Sequence, residues 1–181
     1  MILDENFKIK RYGLCVRFVN ENDAEFIVKL RTDPRKSRYI KGTSPDVEKQ
    51  RKWIFEHKKL QDSGGSFYFM FEKPEGNRLT ISRIYDVEEN NFTGGSWLSA
   101  VDAPMGVSIL AFILSYEIAF ELFPEKNTII DVKKKNVSVN RYVKSFGAEL
   151  TKEEEDTNYY ILTKENFEKN KIKYLERFYK A

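Results

Sequence analysis

Residues 132–150, VKKKNVSVNRYVKSFGAEL, join the end of a strand to a short amphipathic helix and then to a glycine. Asn136 is placed to cap the helix start with its side chain, and Gly147 to end the helix in a left-handed conformation. A helix N-terminus also attracts anions, so the lysines at 133–135 have two interpretations: neighbours of bound phosphates, or a solvated strand end. The stretch predicts a chain in which a strand leads directly into a helix.

A second strand-to-helix junction lies upstream, in AVDAPMGVSIL at residues 100–110. Pro104 cannot continue a strand ladder, and a glycine two residues later lets the backbone approach a bulky ligand closely. The unpaired amides of a helix start, together with the helix dipole, suit a diphosphate. An ordinary tight turn is the alternative interpretation. The amides concerned are those of Met105, Gly106, Val107 and Ser108.

Outside these junctions the chain consists of alternating strand and helix patterns. The predicted strands are 14–20, 66–73, 78–88, 96–101, 127–134 and 158–163; the predicted helices start at Asn22 or Asp23 and cover 46–61, 106–123, 136–146 and 164–179. This order predicts an α/β fold with a mixed, mostly antiparallel sheet flanked by helices. Open mixed sheets bind ligands where neighbouring strands diverge, here at the ends of the fourth and fifth strands.

Two finer expectations concern single segments. The polar ENNFTGG at 89–95 is predicted to be a turn. The second helix is expected to face inward with Val47, Trp53, Ile54 and Leu60.

Bulk composition limits the function classes. The 181 residues suit one domain, with a core at about 14–163 and a terminal helix at 164–179. A net charge of +3, with charges of both signs interspersed, argues against a nucleic-acid binder. The lone Cys15 excludes an internal disulfide and favours a buried thiol, and no metal-binding pattern is present. The N-terminus lacks a secretion signal, which predicts a cytoplasmic protein. Glu117 and Glu121 interrupt the most apolar helix, so no membrane span is expected.

The succession β–α–α–β–β–β–α–β–α–β, with a phosphate-type loop before the central helix and NxxVNRYVKSFGA after the next strand, resembles the GNAT superfamily of N-acetyltransferases. The similarity covers residues 14–163 and is nearest to the branch that modifies peptide N-termini and amino sugars. Its motif residues here are Asn136, Val139 and Gly147. The resemblance implies transfer of an acetyl group from acetyl-coenzyme A to a primary amine.

The resemblance also implies where acetyl-coenzyme A binds. The strand SWLSAV pairs its backbone with the pantetheine, for which Leu98, Ser99 and Val101 are the expected positions. The diphosphate lies on the amides of the loop before the central helix, and Asn136 starts the helix beside the pantetheine and adenine. The loop departs from the family pattern, because it holds Gly106 alone and lacks the usual arginine or glutamine.

The positions of the family's acid and base carry other residues in this chain. The general base of relatives corresponds to Thr93, which cannot serve, and Glu72, Asp86 and Asp102 are alternatives that also suit a surface or turn. The tyrosine that protonates the departing thiolate in relatives corresponds to a valine. The expected catalytic candidates are therefore the adjacent Tyr142 and the hydroxyl of Ser138; Tyr142 is equally compatible with a packed aromatic. His57 is either a base with a near-neutral pKa or a histidine packed at the edge of an apolar face.

Arg83 and Trp97 are the candidates for the acceptor pocket, although both also suit a sheet face. Arg83 favours an anionic acceptor such as a nucleotide-linked sugar. The ending NYYILTKENFEKNK is similar to the amino-sugar branch, which predicts an amino sugar of surface-polysaccharide synthesis as the small-molecule acceptor. A protein or peptide N-terminus, and a GNAT-like domain that has lost catalysis and binds a ligand, are the alternatives. Whether the chain forms a homodimer stays open.

Overall fold

A computed structural model describes residues 3–4 and 6–179, and its strands form one sheet. The strands are β1 (Lys8–Arg11), β2 (Leu14–Phe18), β3 (Phe67–Glu72), β4 (Arg78–Tyr85), β5 (Asn91–Ser99), β6 (Asn127–Lys133), β7 (Glu149–Glu153) and β8 (Thr157–Leu162). They lie side by side in the order β1-β2-β3-β4-β5-β6-β8-β7. All neighbours run antiparallel except β5 and β6. The predicted α/β fold with a mixed, mostly antiparallel sheet is confirmed.

The described residues form five α-helices, of which four connect strands and the fifth follows β8, and several helix starts are encoded locally. They are α1 (Ala24–Thr32), α2 (Val47–Asp62), α3 (Val107–Leu122), α4 (Val137–Ser145) and α5 (Lys164–Phe178). Asp46, Asn136 and Thr163 each accept a hydrogen bond from the backbone amide three residues later, so each caps the helix that follows it. Gly147 has φ 87°, which ends α4 as the sequence predicts.

The helices cover both faces of the sheet, and strand alternation sends side chains to each. On one face Phe69 and Phe92 pack with residues of α3, and on the other Met70 and Ile81 pack with residues of α1 and α2. α3 is apolar on nearly every side because α5 covers the side that faces away from the sheet. None of the described helices combines the length and the apolar character that a membrane crossing requires.

Glu117 is a buried charge within the apolar α3. Its carboxylate accepts hydrogen bonds from Arg11, Tyr12 and Lys171, each at 2.7 Å. Burial favours the neutral acid, but these three donors outweigh it and lower the pKa of Glu117. The carboxylate thereby ties the β1–β2 turn and α5 to the central helix.

β5 and β6 are neighbours at one end and separate at the other. They pair in parallel only over Asn91–Thr93 and Asn127–Ile129. Further along, the register of β5 with β4 shifts between Ile81 and Arg83, and Ser96 within this bulge has φ 52°. A bulge bends and twists its strand, so the two carboxyl ends move apart. The predicted divergence is confirmed.

Some predicted element boundaries are wrong, for physical reasons. β1 and β7 were not predicted, because KIKR and ELTKE are charged edge strands without a continuous apolar face. Most of the predicted turn at 89–95 belongs to β5. Its two glycines disguise the strand, and they are needed because Tyr116 and Tyr85 pack directly on Gly94 and Gly95.

The inward face of α2 and the start of α1 also differ from expectation. Trp53 is 38% and Leu60 51% exposed, whereas His57 is buried beside Ile54. The helix α1 begins after the predicted Asp23, but that side chain makes no capping bond to α1; the capping side chain is Asn20, which accepts from the amide of Asn22 at the start of a single 3-10 turn.

Candidate active site

A cavity of about 1060 Å³ fills the space between the diverging β5 and β6. Small-molecule sites typically measure about 300–1,000 Å³, so this one is large. Side chains alternate along β6: Ile130 and Val132 are buried towards α3 and α4, and Asp131 between them points to the opposite face. The cavity therefore opens to both faces of the sheet.

The two mouths of the cavity differ in chemistry. The mouth on the α3–α4 face is largely apolar; its lining includes Phe112, Tyr116, Val139 and Val143. The mouth on the α1–α2 face is rich in cations; its lining includes Arg31, Arg38, Lys41 and Arg83. Asp131 is the carboxylate of β6 at this cationic mouth. The cavity thus joins an apolar mouth on one face of the sheet to a mouth that attracts anions on the other.

Arg83 is fixed in place at the cationic mouth. Its Nε donates to Ser66 Oγ at 3.0 Å, and its guanidinium lies 5.3 Å from the ring centre of Trp53 and 4.8 Å from that of Tyr85. Aromatic rings on both sides hold the cation in one orientation. Burial lowers the pKa of Arg83, although an arginine keeps its charge in proteins.

His57 supports Arg83 through the same serine. Ser66 Oγ donates to the carbonyl of Ile84 at 3.0 Å, so it accepts from both Arg83 and His57 Nε2, the latter at 2.9 Å. The imidazole must then carry its proton on Nε2. Burial, and next the nearby charge of Arg83, lower the pKa of His57 to about 4. His57 is therefore a neutral hydrogen-bond donor at pH 7, which removes it as a general base with a near-neutral pKa.

Two tyrosines line the cleft beside the glycines of β5. Tyr116 of α3 packs on Gly94, and Tyr85 of β4 packs on Gly95, where a Cβ would lie 2.9 Å from its hydroxyl. Burial raises the pKa of Tyr116 above its usual value. Burial and the charge of Asp131 raise the pKa of Tyr85 to about 12. Both hydroxyls keep their protons at neutral pH and can donate hydrogen bonds.

Gly106 in the loop before α3 has φ 87°, a left-handed conformation that favours glycine. A Cβ at this position would lie 2.6 Å from the ring of Phe178. The neighbour that approaches Gly106 closely is thus α5 of the same chain, and the predicted open approach for a ligand is wrong in this detail. Met105 beside it is 92% exposed.

The amides of this loop are partly occupied. The Val107 amide donates to the carbonyl of Pro104 at 3.1 Å, so the expectation that it is unpaired is wrong. Ser108 lies in the first helical turn, where amides have no partner within the helix. Its carbonyl accepts from Trp97 Nε1 at 3.0 Å. The helix start retains free donors, but fewer than predicted.

A family model for the GNAT acetyltransferase domain matches residues 13–149. The chain belongs to the GNAT acetyltransferase family. It is accordingly a GNAT-type acyltransferase that uses an acyl-coenzyme A, and the sheet with its divergent strands is the GNAT fold.

Solved structures agree with this assignment. The chain is similar to apo FdhC, described as a nucleotide-linked sugar GNAT, at 30% identity over 97% of this chain and 99% of that one, with a TM-score of 0.84. A ribosomal-protein-S5-alanine acetyltransferase from Vibrio fischeri shares the fold at 13% identity, 90% and 99% coverage and a TM-score of 0.74. Spermidine N-acetyltransferase from Vibrio cholerae, in complex with CoA and spermine, shares it at 12% identity, 87% and 99% coverage and a TM-score of 0.75. A comparison with curated proteins gives no match.

The open edge of β5 is where the GNAT resemblance predicted pantetheine pairing. The amide of Ala100 donates to β4 at 2.8 Å, so by alternation the backbone groups of Leu98 also point to β4. Those of Trp97 and Ser99 point to the open side. Val101 lies in the turn after the strand ends. Of the three predicted positions, Ser99 faces the opening, whereas the backbone of Leu98 is turned towards β4 and Val101 lies beyond the end of the strand.

The start of α4 matches the prediction for Asn136, which lines the cavity and caps the helix through a bond from the Val139 amide at 3.4 Å. Lys133 pairs with Asp156 at 2.7 Å at the end of β6 and also lines the cavity. Asn140 was missed: its side chain donates to the carbonyls of Lys133 and Asn136, each at 2.9 Å, and locks the β6–α4 turn.

The predicted catalytic residues of α4 lie near the cleft but not in its lining. The Tyr142 ring packs 5.2 Å from Trp97 and 5.1 Å from Phe112, and its buried hydroxyl has no hydrogen-bond partner within the described residues. Burial raises its pKa. Val143, at the family's tyrosine position, lines the cavity, and Ser138 is exposed on the first turn of α4.

The structure separates the two predicted acceptor residues. Both line the cavity, but Trp97 packs on the α3 face, whereas Arg83 lies at the cationic mouth. Trp97 therefore belongs to the apolar wall.

None of the alternative bases lines the cleft. Glu72 is buried against Arg17, and neither Asp86 nor Asp102 is part of the cavity wall. Asp131, which the sequence reasoning missed, is in the wall. Its signal was present: it is the acidic residue that interrupts the apolar run of the strand whose end was expected to bind a ligand.

Proposed function

We propose that this GNAT enzyme transfers an acetyl group from acetyl-coenzyme A to the amine of a nucleotide-linked amino sugar. The observation that carries the proposal is the cationic acceptor mouth, where Arg83 is held rigidly and Arg31, Arg38 and Lys41 surround it. Such a surface attracts a diphosphate and concentrates an anionic substrate. The similarity to a nucleotide-linked sugar GNAT at 30% identity supports the same substrate class.

A polyamine is a poor acceptor for this mouth. Two like charges about 4 Å apart repel by roughly 1 kcal/mol in water and by several times more near a protein surface. A polycation such as spermidine would meet Arg31, Lys41 and Arg83 at once. The fold shared with spermidine N-acetyltransferase therefore does not carry its acceptor over to this chain.

The residues present fit an acyl-coenzyme A. The backbone groups of Trp97 and Ser99 can pair with the amides of a pantetheine arm as another strand would, and the apolar mouth between α3 and α4 accommodates that arm. The start of α3 still offers amides to a diphosphate. When bound, the coenzyme supplies a thioester carbonyl that an amine can attack.

Asp131 and Tyr116 are the proposed proton-transfer groups. The carboxylate of Asp131, at the acceptor mouth, accepts a proton from the amine directly or through one water. The amine nitrogen then bonds to the acyl carbon, the carbon–sulfur bond breaks, and the thiolate takes a proton. Tyr116 is the proposed donor because it lines the apolar side of the cleft, where its hydroxyl can hydrogen-bond the leaving sulfur. Tyr142, packed behind the wall, and Ser138 are the alternative donors.

The experiment combines an acceptor panel with one pair of variants. Purified protein is incubated with acetyl-coenzyme A and UDP- or dTDP-linked amino sugars, spermidine, or peptides with a free N-terminus, and products are identified by mass. Arg83→Gln is expected to raise KM for the nucleotide-linked sugar about tenfold or more and to leave KM for acetyl-coenzyme A unchanged. The matched control, Arg35→Gln, removes an exposed arginine outside the cavity wall and should leave both KM values unchanged. Acetylation of peptides or spermidine, with no sugar nucleotide modified, would contradict the proposal.

A further inference from the structure

A second cavity, of about 320 Å³, adjoins the cationic mouth of the cleft. It lies on the α1–α2 face, and its walls include Thr43, Gln50, Trp53 and Tyr68. Its volume is near the lower limit of about 300 Å³ for small-molecule sites. The space suits part of a ligand rather than a whole nucleotide sugar.

The two cavities share their cations. Arg31, Lys41 and Arg83 line both, as does Ser96 of the β5 bulge. A ligand that spans both spaces would place its middle at these three positive charges. One of its ends would then lie beside Asp131 in the large cavity, and its other end in the small one.

The small cavity has the chemistry of a base pocket. Trp53 is an aromatic wall, 38% exposed on a helix whose neighbouring Ile54 is buried. Gln50 carries both a donor and acceptors, which is what the edge of a nucleobase requires. The residues that line this cavity without lining the large one are uncharged. An uncharged pocket with an aromatic wall lies next to the three shared cations. This arrangement matches the order of groups along a nucleotide-linked amino sugar, which is base, diphosphate and then the sugar that carries the amine.

The wall of the pocket is preorganised. The Trp53 ring stacks on His57 at 4.8 Å and meets Tyr68 edge-on at 5.9 Å. His57 in turn holds Ser66, which holds Arg83. The indole and the guanidinium are therefore fixed relative to each other, which lowers the entropy cost of binding a base and a phosphate together.

We infer that the small cavity binds the nucleobase of the acceptor, packed against Trp53, while Arg31, Lys41 and Arg83 hold its diphosphate. This inference rests on the proposed function and makes it more specific, because it assigns the base to side chains of α2 and the diphosphate to cations of α1, the α1–α2 connection and β4. Trp53 is thereby a specificity residue remote from the reacting amine.

The test is calorimetric titration of UDP and dTDP into protein saturated with coenzyme A, so that neither nucleotide can occupy the coenzyme's own site. Trp53→Ala should weaken binding about tenfold or more, in line with the loss of one base–aromatic contact. Phe55→Ala removes an aromatic that is 61% exposed on the same helix but outside the cavity, and should change Kd less than twofold. Binding of inorganic diphosphate should fall in Arg83→Gln, and in Trp53→Ala it should fall less than nucleotide binding does, because Trp53 also holds the Arg83 guanidinium.

Gln50→Ala provides a second variant should Trp53→Ala fail to fold, with a weaker affinity for UDP or dTDP and an unchanged one for diphosphate. Equal nucleotide affinity in wild type, Trp53→Ala and Gln50→Ala, or no nucleotide binding at all, overturns the inference. If sugar nucleotides are acetylated with a KM that Trp53→Ala does not change, the small cavity is not the nucleobase site, and the proposed function stands. If nucleotide binding needs Trp53 but no sugar nucleotide is acetylated, the small cavity is a nucleobase site and the proposed function is contradicted.

Discussion

Asp131, the proposed general base, lies where a carboxylate adds little to stability. Its neighbours in β6, Ile130 and Val132, are buried, whereas Asp131 is exposed at the cationic mouth of the cleft. A carboxylate there forms no ion pair within the described residues, so folding gains little from it. Proton acceptance from an incoming amine gives it a role.

Asp131→Asn should therefore lower kcat by about 10²–10⁴-fold, the usual contribution of a general base, with little change in the unfolding midpoint. Asp156→Asn is the matched control, since Asp156 also lines the cavity but pairs with Lys133. Initial rates with saturating acetyl-coenzyme A measure the effect. Equal kcat values for wild type and Asp131→Asn would remove Asp131 as the base.

His57 makes stability depend on pH. Its folded pKa of about 4 lies below the value of about 6.5 in an unfolded chain, so between these values the unfolded state binds the extra proton. Stability from this group is complete above pH 6.5 and is lost as the pH falls towards 4. Between pH 7 and 5 the loss is about 2 kcal/mol.

His57→Gln keeps a side-chain donor but cannot titrate, so it should flatten this part of the stability curve. Urea unfolding of both proteins at pH 7 and pH 5 measures the difference. An identical pH dependence in the variant would show that another group is responsible.

At the scale of elements, β5 does most to shape the site. Asn91–Thr93 hold it to β6, its bulge turns the next residues away, and its two glycines admit tyrosines from α3 and β4. The glycines that obscured this strand in the sequence are thus the residues that create the cleft.

Gly94→Ala should destabilise the protein by about 1–3 kcal/mol, the usual cost of overpacking, because the new methyl group collides with the ring and hydroxyl of Tyr116. Activity should fall as well, since Tyr116 must move. Gly42→Ala is the control for stability alone, as nothing lies within 4 Å of its Cβ position but the residue lines the small cavity. Denaturant midpoints and kcat are the readouts, and a Gly94→Ala variant as stable as Gly42→Ala would contradict the account of β5.

Across the whole molecule, the sequence predicted the features that depend on local patterns better than those that depend on tertiary contacts. Caps and apolar periodicity located the five α-helices and six of the strands, and the order of elements indicated the divergent pair. Edge strands without an apolar face gave no pattern to detect. Local sequence could not predict the phase of β5 after its bulge, which turns the backbone of Leu98 towards β4, or the contact of Phe178 with Gly106, because both depend on distant partners. Asp131 and Asn140 were within reach of the sequence, since both lie beside the predicted ligand site.

The measurement that tests the central claim most directly is kcat/KM for acetyl transfer to three acceptors. They are a UDP- or dTDP-linked amino sugar, the same amino sugar without its nucleotide, and spermidine. The cationic mouth and the pocket beside it predict a value for the linked sugar about 100-fold or more above either of the others, because binding energy from the nucleotide positions the amine at the thioester. An equal or higher value for the free sugar or for spermidine would contradict the account.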